Sequence, residues 1–393
     1  MKKFVLIFLM ALSFHLAAAN QFPAKDKLIV TRCMYQKLGS LASLITKTEQ
    51  YTLIAVEMNE QVMRVLHDNR HVCGGFLNIE PYQKAILKQQ LTEHQLLINL
   101  TKSPTALGND EYHIRHDAQV MPLLKQIDRS IIWGNMQHLT NYINRAANSK
   151  TGVLAAQWFK DQIDSMAKEY HRKDVQSYFV ATGKRYKQPS VVTVIGKEKP
   201  GGALVIGAHI DTLKGNMPGA DDDASGIAAI LEVFRMLLSS ELDFEHPIYV
   251  IAYAAEEQGL VGSGFVVQSF LDKKTSVKAV LQFDQAGFRA NPKDKTIWLL
   301  DDYVDSKLTK FLANLITHYV NIPVSYTHCG YACSDHANWH LNGFPACYPS
   351  ATTLDDDNDN VHTPNDRLET ISLEHLENFA KLGLAFVVEL GLK

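Results

Sequence analysis

Residues 204–253 read LVIGAHIDTLKGNMPGADDDASGIAAILEVFRMLLSSELDFEHPIYVIAY, and three segments inside this stretch decide the fold. The apolar runs 204–207 and 248–253 are short and continuous, the pattern of strands buried on both faces. Between them, 225–238 places Ile227, Ile230, Leu231, Phe234, Leu237 and Leu238 at helical spacing. Strand, helix and strand in that order predict a parallel sheet with right-handed crossovers. Further buried runs at 280–283 and 297–300 extend it. The expected fold is three-layer α/β, a mixed, mainly parallel sheet flanked by helices.

Such sheets bind ligands beyond the carboxyl ends of their strands. Residues suited to hold metal stand there: His209 in VIGAHIDT, Asp222 in GADDDASG, Glu257 in YAAEEQG, Asp284 in LQFD and His362 in NVHT. Taken singly, each has a plainer explanation, such as a hydrogen-bonded structural histidine or an acid complementing a helix N-terminus. Taken together, several acids gathered at strand ends need a common cation, because buried carboxylates are unfavourable unless paired or metal-bound. Two imidazoles, three carboxylates and the spare Glu256 match the needs of two zinc ions per chain and a general base.

Local spacing refines the assignment. Asp211 lies two residues beyond His209, on the same side of an extended segment, where its carboxylate can orient the imidazole. Of the three acids in GADDDASG, Asp222 is the candidate bridge between two metals, and Asp221 and Asp223 are structural. Glu256 and Glu257 point to different sides, so one can bind metal while the other faces the attacking water.

The remainder of the chain reads as an exported globular protein. Lys2 and Lys3, the apolar run 4–14 and Ala17-Ala18-Ala19 form a cleavable export signal over 1–19. Of the 393 residues, 46% are hydrophobic and 21% charged, which excludes extended disorder. A net charge of -3 gives no reason to expect a nucleic-acid partner or stable membrane association. The expected partners are peptide or protein N-termini, met by a monomer. Residues 20–115 alternate strands (28–30, 51–56) with helix (83–97), forming a small α+β N-terminal region without a ligand cluster. It is either a pro-region removed on maturation or a permanent accessory domain. The turn-rich 107–110 connects it to the domain at 116–393, whose first helix begins near Met121. Five cysteines permit two bridges, Cys33 with Cys73 and Cys329 with Cys333, leaving Cys347 a buried thiol; a cysteine zinc site at CGYAC is the rival.

Across nearly all of 116–393, the strings GAHIDT, GADDDASGIAA, AYAAEEQGLVGS, CGYACSDHANWH and VHT resemble those of the bacterial secreted di-zinc leucyl aminopeptidases. The resemblance implies that His209 and Asp284 hold one zinc, Glu257 and His362 the other, and Asp222 bridges them. It implies Glu256 as general acid/base, Tyr331 as a stabiliser of the tetrahedral oxyanion and Cys329–Cys333 as a disulfide. A substrate amine held near the second zinc restricts cleavage to the first residue, so the implied enzyme is an exopeptidase.

Departures from that family concern the pocket. Relatives that prefer leucine carry aromatic residues before the last ligand histidine, whereas this chain has SATTLDDDNDN at 350–360 and Gln285 after Asp284. The candidate pocket residues are Gln285, Leu354, Asp357 and Val361. Polar walls reduce the gain from burying an aliphatic side chain, and a carboxylate at Asp357 suits Lys or Arg in the first position. A solvated loop or a calcium site is the alternative role for these acids. The rival functions are a one-zinc glutaminyl cyclase, a carboxypeptidase-like relative and a non-catalytic binding module.

Overall fold

The computed structural model describes residues 25–102 and 111–393, so the expected export signal at 1–19 and the connection at 107–110 lie outside the described residues. Ala203–His209 runs parallel to both of its neighbours, Ile248–Tyr253 and Val277–Gln282. Ala346–Cys347 adds a parallel edge beside Val277–Gln282. On the other side, Ser190–Ile195 and Val175–Val180 add two antiparallel strands, making a mixed six-stranded sheet.

Helices cover both faces, giving the expected three layers. Gly226–Ser239 and Leu373–Gly391 pack on Ala203–His209 through Ile230, Phe234 and Leu384. Val261–Lys273 and His336–Leu341 cover the opposite face with Val266, Phe270 and Trp339. Gly207 sits in the central strand for a steric reason: a Cβ there would lie 2.4 Å from the Tyr253 ring. The Tyr253 hydroxyl accepts the Trp339 indole N–H at 2.8 Å, so the ring cannot move aside without leaving a buried donor unpaired.

One predicted strand belongs elsewhere. Ile297–Leu300 forms no part of the main sheet; it pairs with Val324–Thr327 and Pro349–Ser350 in a separate three-stranded sheet. Its burial comes from the covering helix Ser306–Leu315, and a buried apolar run does not say which sheet it joins. The helical stretches expected around 83–97 are two helices, Gln83–Gln89 and Glu93–Thr101. Gln90 adopts a left-handed conformation, and Thr92 with Gln95 forms a capping box that starts the second helix.

The N-terminal region is α+β, as expected, with an antiparallel sheet in the order Ala42–Lys47, Tyr51–Val56, Asp26–Thr31, Phe76–Asn78. It shares a core with the larger domain, where Leu77, Ile79 and Tyr82 pack with Leu260 and Ala337. Buried polar contacts fix the docking: the Asn78 N–H donates to the Gly259 carbonyl at 2.9 Å and the Tyr82 hydroxyl to Asn338. Both expected disulfides are present, and Cys347 is a free buried cysteine.

Cys33–Cys73 closes a span of 40 residues, and loop-closure entropy alone then stabilises the fold by about 4 kcal/mol. A Cys33→Ser/Cys73→Ser protein should lose about 2–4 kcal/mol, chiefly from the N-terminal region, in denaturant unfolding followed by hydrogen exchange. Unchanged protection there would show that docking alone holds this region.

Candidate active site

The parallel strands end on one edge of the sheet, and the chemistry gathers there. His209 is the last residue of its strand; Glu256 and Glu257 follow Ile248–Tyr253, and Asp284 follows Val277–Gln282. Asp222 comes from the turn Ala220–Ser225 before the helix Gly226–Ser239, with a cis peptide to Asp223. His362 arrives from the long loop before the C-terminal helix. Ala255, Leu260, Gln285 and His362, all around this edge, are non-glycine residues with φ of 51–64°. Such conformations persist only where the surroundings enforce them, and they concentrate at functional sites.

The Asp222 carboxylate divides its oxygens between the two imidazoles. Oδ1 lies 2.8 Å from His209 Nε2, and Oδ2 lies 3.0 Å from His362 Nε2. Asp284 Oδ1 is 3.5 Å from the same His209 nitrogen, and Glu257 Oε2 is 3.0 Å from His362 Nε2. His209 Nε2 and Asp284 Oδ1 are buried and make no directional hydrogen bond. Two sets of donor atoms result, His209 with Asp222 and Asp284, and Glu257 with His362 and a further histidine, His67. The carboxylates demand positive charge: burial opposes protonation of His362, yet Glu257 and Asp222 hold its pKa up at about 10.

Asp221 and Asp223 turn their carboxylates to backbone N–H groups. Asp221 accepts the N–H groups of Gly287 and Phe288, both at 3.0 Å, and ties down the loop after Asp284. Asp223 accepts from His209 N at 3.1 Å and Gly226 N at 2.7 Å. Gly226 permits the second bond, since a Cβ there would lie 2.6 Å from that carboxylate. Asp211 lies beside the ring and also holds the glutamate turn. Its oxygen is 3.7 Å from His209 Nδ1, beyond hydrogen-bond range, and its carboxylate accepts the N–H groups of Glu256 at 2.9 Å and Glu257 at 3.3 Å. It aims the glutamate turn.

Several supporting residues carried no sequence signature. Asp366 accepts from Asp221 N at 2.9 Å and Asp222 N at 3.1 Å, and burial pushes its own carboxyl up to about 7. Arg145, fully buried, donates to the carbonyls of Ile210 at 2.9 Å and Gly219 at 2.9 Å, clamping the end of the His209 segment to the Asp222 turn. Ser334 Oγ donates to Asp284 Oδ2 at 2.6 Å. Neighbouring Asp335 is buried without a hydrogen-bond partner, and burial pushes its carboxyl up to about 8, with His209 pulling the other way. Only the SDH string at 334–336 hinted at the last two.

The site opens into a cleft that Glu256, Tyr331, Gln285, Leu354 and Asp357 all line. Burial raises the Glu256 carboxyl well above the usual range, as do the nearby Asp284 and Asp335, while His209 opposes. Burial also raises the Tyr331 phenol, which stays a donor at neutral pH. Val361 does not face the cleft; it is buried behind the loop, with its N–H donated to the Asn358 carbonyl at 2.9 Å. Asp357 faces the N-terminal region, with Arg70 Nη2 at 3.5 Å and His71 Nε2 at 3.9 Å. Burial pushes its carboxyl up to about 6, against the pull of Arg70.

The chain is similar to several known proteins. The sequence profile of peptidase family M28 matches residues 190–387. Leucine aminopeptidase 1 of Penicillium rubens is 33% identical over 295 residues, spanning 71% of this chain and 76% of its own length. Among solved structures, LapB of Legionella pneumophila is similar at a TM-score of 0.90 and 58% identity, covering 94% of this chain and 100% of that one. The LapA aminopeptidase of Legionella pneumophila gives 0.88 and 41% identity over 94% of this chain and 99% of its own. The chain therefore belongs to peptidase family M28, among its bacterial leucyl aminopeptidases, and is a metallo-aminopeptidase that releases residues from peptide N-termini.

Proposed function

We propose that the protein is an exported aminopeptidase that uses two zinc ions and prefers Lys or Arg as the first residue of its substrate. The observation that carries the two-ion reading is the divided Asp222 carboxylate, with an imidazole nitrogen at 2.8 Å on one side and at 3.0 Å on the other. The donor set fits the ions. Buried His209 Nε2 and Asp284 Oδ1 make no well-directed hydrogen bond, and two imidazoles with three carboxylates are the nitrogen and oxygen ligands zinc takes. In this reading His209 and Asp284 hold one ion, Glu257 and His362 the other, and Asp222 both. His362 Nδ1 lies 3.2 Å from Arg70 Nη1; with Nε2 committed to an ion, Nδ1 would carry the proton and Arg70 would turn to Asp357, 3.5 Å from its Nη2.

A pair of such ions, when bound, supplies Lewis-acid polarisation of the scissile carbonyl and makes the attacking water more acidic. Glu256 takes the proton of the attacking water and passes it to the departing amine. Tyr331 donates to the oxygen on which charge develops. Asp211 holds Glu256 in place through the backbone N–H at 2.9 Å.

Asp357 lines the cleft, and the guanidinium of Arg70 already lies beside it, which supports a basic side chain as a substrate's first residue. Two disulfides support export to an oxidising compartment, and no helix among the described residues is long and apolar enough to cross a membrane. The proposed organisation is an export signal at 1–19, a pro-region at 20–115 removed on maturation, and a monomeric peptidase domain at 116–393.

Replacing Glu256 with Gln should lower turnover by about 10²–10⁴-fold while the zinc content stays at wild-type level. Activity retained within a few-fold would show that Glu256 is not the proton carrier. Asp357→Asn should reduce kcat/KM for lysyl and arginyl amides by about tenfold or more relative to leucyl amide, since a charge-assisted hydrogen bond is lost. An unchanged ratio, or a wild-type preference for leucine, would remove Asp357 from the specificity assignment.

A further inference from the structure

His67 belongs to the N-terminal region, on the helix Glu60–Asp68, yet its buried ring meets that of His362 edge to face with centroids 4.5 Å apart. Its Nε2 lies 3.2 Å from the Glu257 carbonyl oxygen. A carbonyl only accepts, so the proton sits on Nε2 and Nδ1 keeps its lone pair. That nitrogen faces the Glu257 carboxylate with 3.8 Å between Nδ1 and Oε2, too long for a hydrogen bond. The donor atoms of His67, Glu257 and His362 all lie within 4.8 Å of one another.

We infer that His67 is a fourth protein donor to the cation held by Glu257, His362 and Asp222, so that the docked N-terminal region completes and closes that site. The inference rests on the two-ion reading. Donors around a tetrahedral zinc at about 2.0–2.2 Å sit roughly 3.3 Å apart, so a shift of roughly half an ångström brings Nδ1 into the shell. The geometry also fits the way outer groups fix ligand tautomers: the Glu257 carbonyl holds the proton on Nε2 and leaves Nδ1 available. Three protein donors leave a position open for the substrate's amine, and a fourth fills it. A peptide must then displace His67 before its N-terminus can bind, and Arg70, one turn further on beside Asp357, leaves the cleft with it.

The test uses the full chain loaded with zinc, and the same chain loaded with cobalt(II), as wild type, His67→Phe and Arg70→Met. Phenylalanine keeps the ring that packs against Phe76 and removes both nitrogens. The expected result is two cations in the wild type, release of one of them to a chelator at least about tenfold faster in His67→Phe, and an altered cobalt absorption band in that variant alone. KM for an aminoacyl amide should fall in His67→Phe. Wild-type release rate and cobalt band in His67→Phe overturn the inference while leaving the two-ion reading intact. Equal changes in His67→Phe and Arg70→Met also overturn it, since they would come from loosened docking. Fewer than two cations in the wild type reject the two-ion reading itself, and this inference with it.

Discussion

A single carboxylate, Asp222, faces two imidazoles that the chain delivers from different places, one from the end of the central strand and one from a loop more than a hundred residues later. That geometry is possible only because the backbone around Asp222 is held from every side. Asp366 takes its N–H and that of Asp221, Arg145 grips the carbonyl of Gly219 ahead of the turn, and Asp223 reaches back to His209 N. The bonds run from carboxylates and a guanidinium to backbone groups, the kind that are stronger than neutral ones and strongly unfavourable to leave unmade. So many buried acids around one edge are tolerable only with compensating positive charge, and the same demand that raises the pKa of His362 is what a bound cation meets.

Much of this was legible beforehand because the deciding segments are local and repetitive. A buried run, an amphipathic helix and a second buried run specify a parallel pair whichever residues lie elsewhere, and they put His209 and Glu257 at the same edge. Asp222 was singled out as the middle of three adjacent acids; in the structure its neighbours serve the backbone, Asp221 holding Gly287 and Phe288 and Asp223 holding Gly226. What was not legible depends on contacts between distant parts. Nothing in NRAA announces that Arg145 is fully buried, because arginine is ordinarily exposed. Asp211 has the spacing to face His209, and its carboxylate also accepts the N–H groups of Glu256 and Glu257, contacts that depend on a strand nearly forty residues later. Ile297–Leu300 reads as a core strand and is one, although in the smaller sheet. Val361, a candidate pocket residue, is buried and is not among the residues that line the cleft.

The N-terminal region carries no ligand cluster of its own, so its sequence gave no reason to connect it with the chemistry. The structure connects them physically. Its sheet shares an apolar core with the larger domain, and its disulfide ties down the short helix Arg70–Cys73 beside the cleft. The segment that bears His67, Arg70 and His71 consequently meets Glu257, His362 and Asp357 from above. His67, Arg70, Gly75 and Phe76 line the cleft together with Glu256 and Asp357, so the docked region borders the route to the site.

The central claim is that the chain builds one cage for two cations around Asp222. Anomalous diffraction from crystals of the zinc-loaded protein, collected on both sides of the zinc absorption edge, tests it directly. The account predicts two peaks about 3.5–4 Å apart, one beside His209 and Asp284 and one beside Glu257 and His362, with the Asp222 carboxylate between them. A single peak at full occupancy, or two peaks that do not share Asp222, would contradict it.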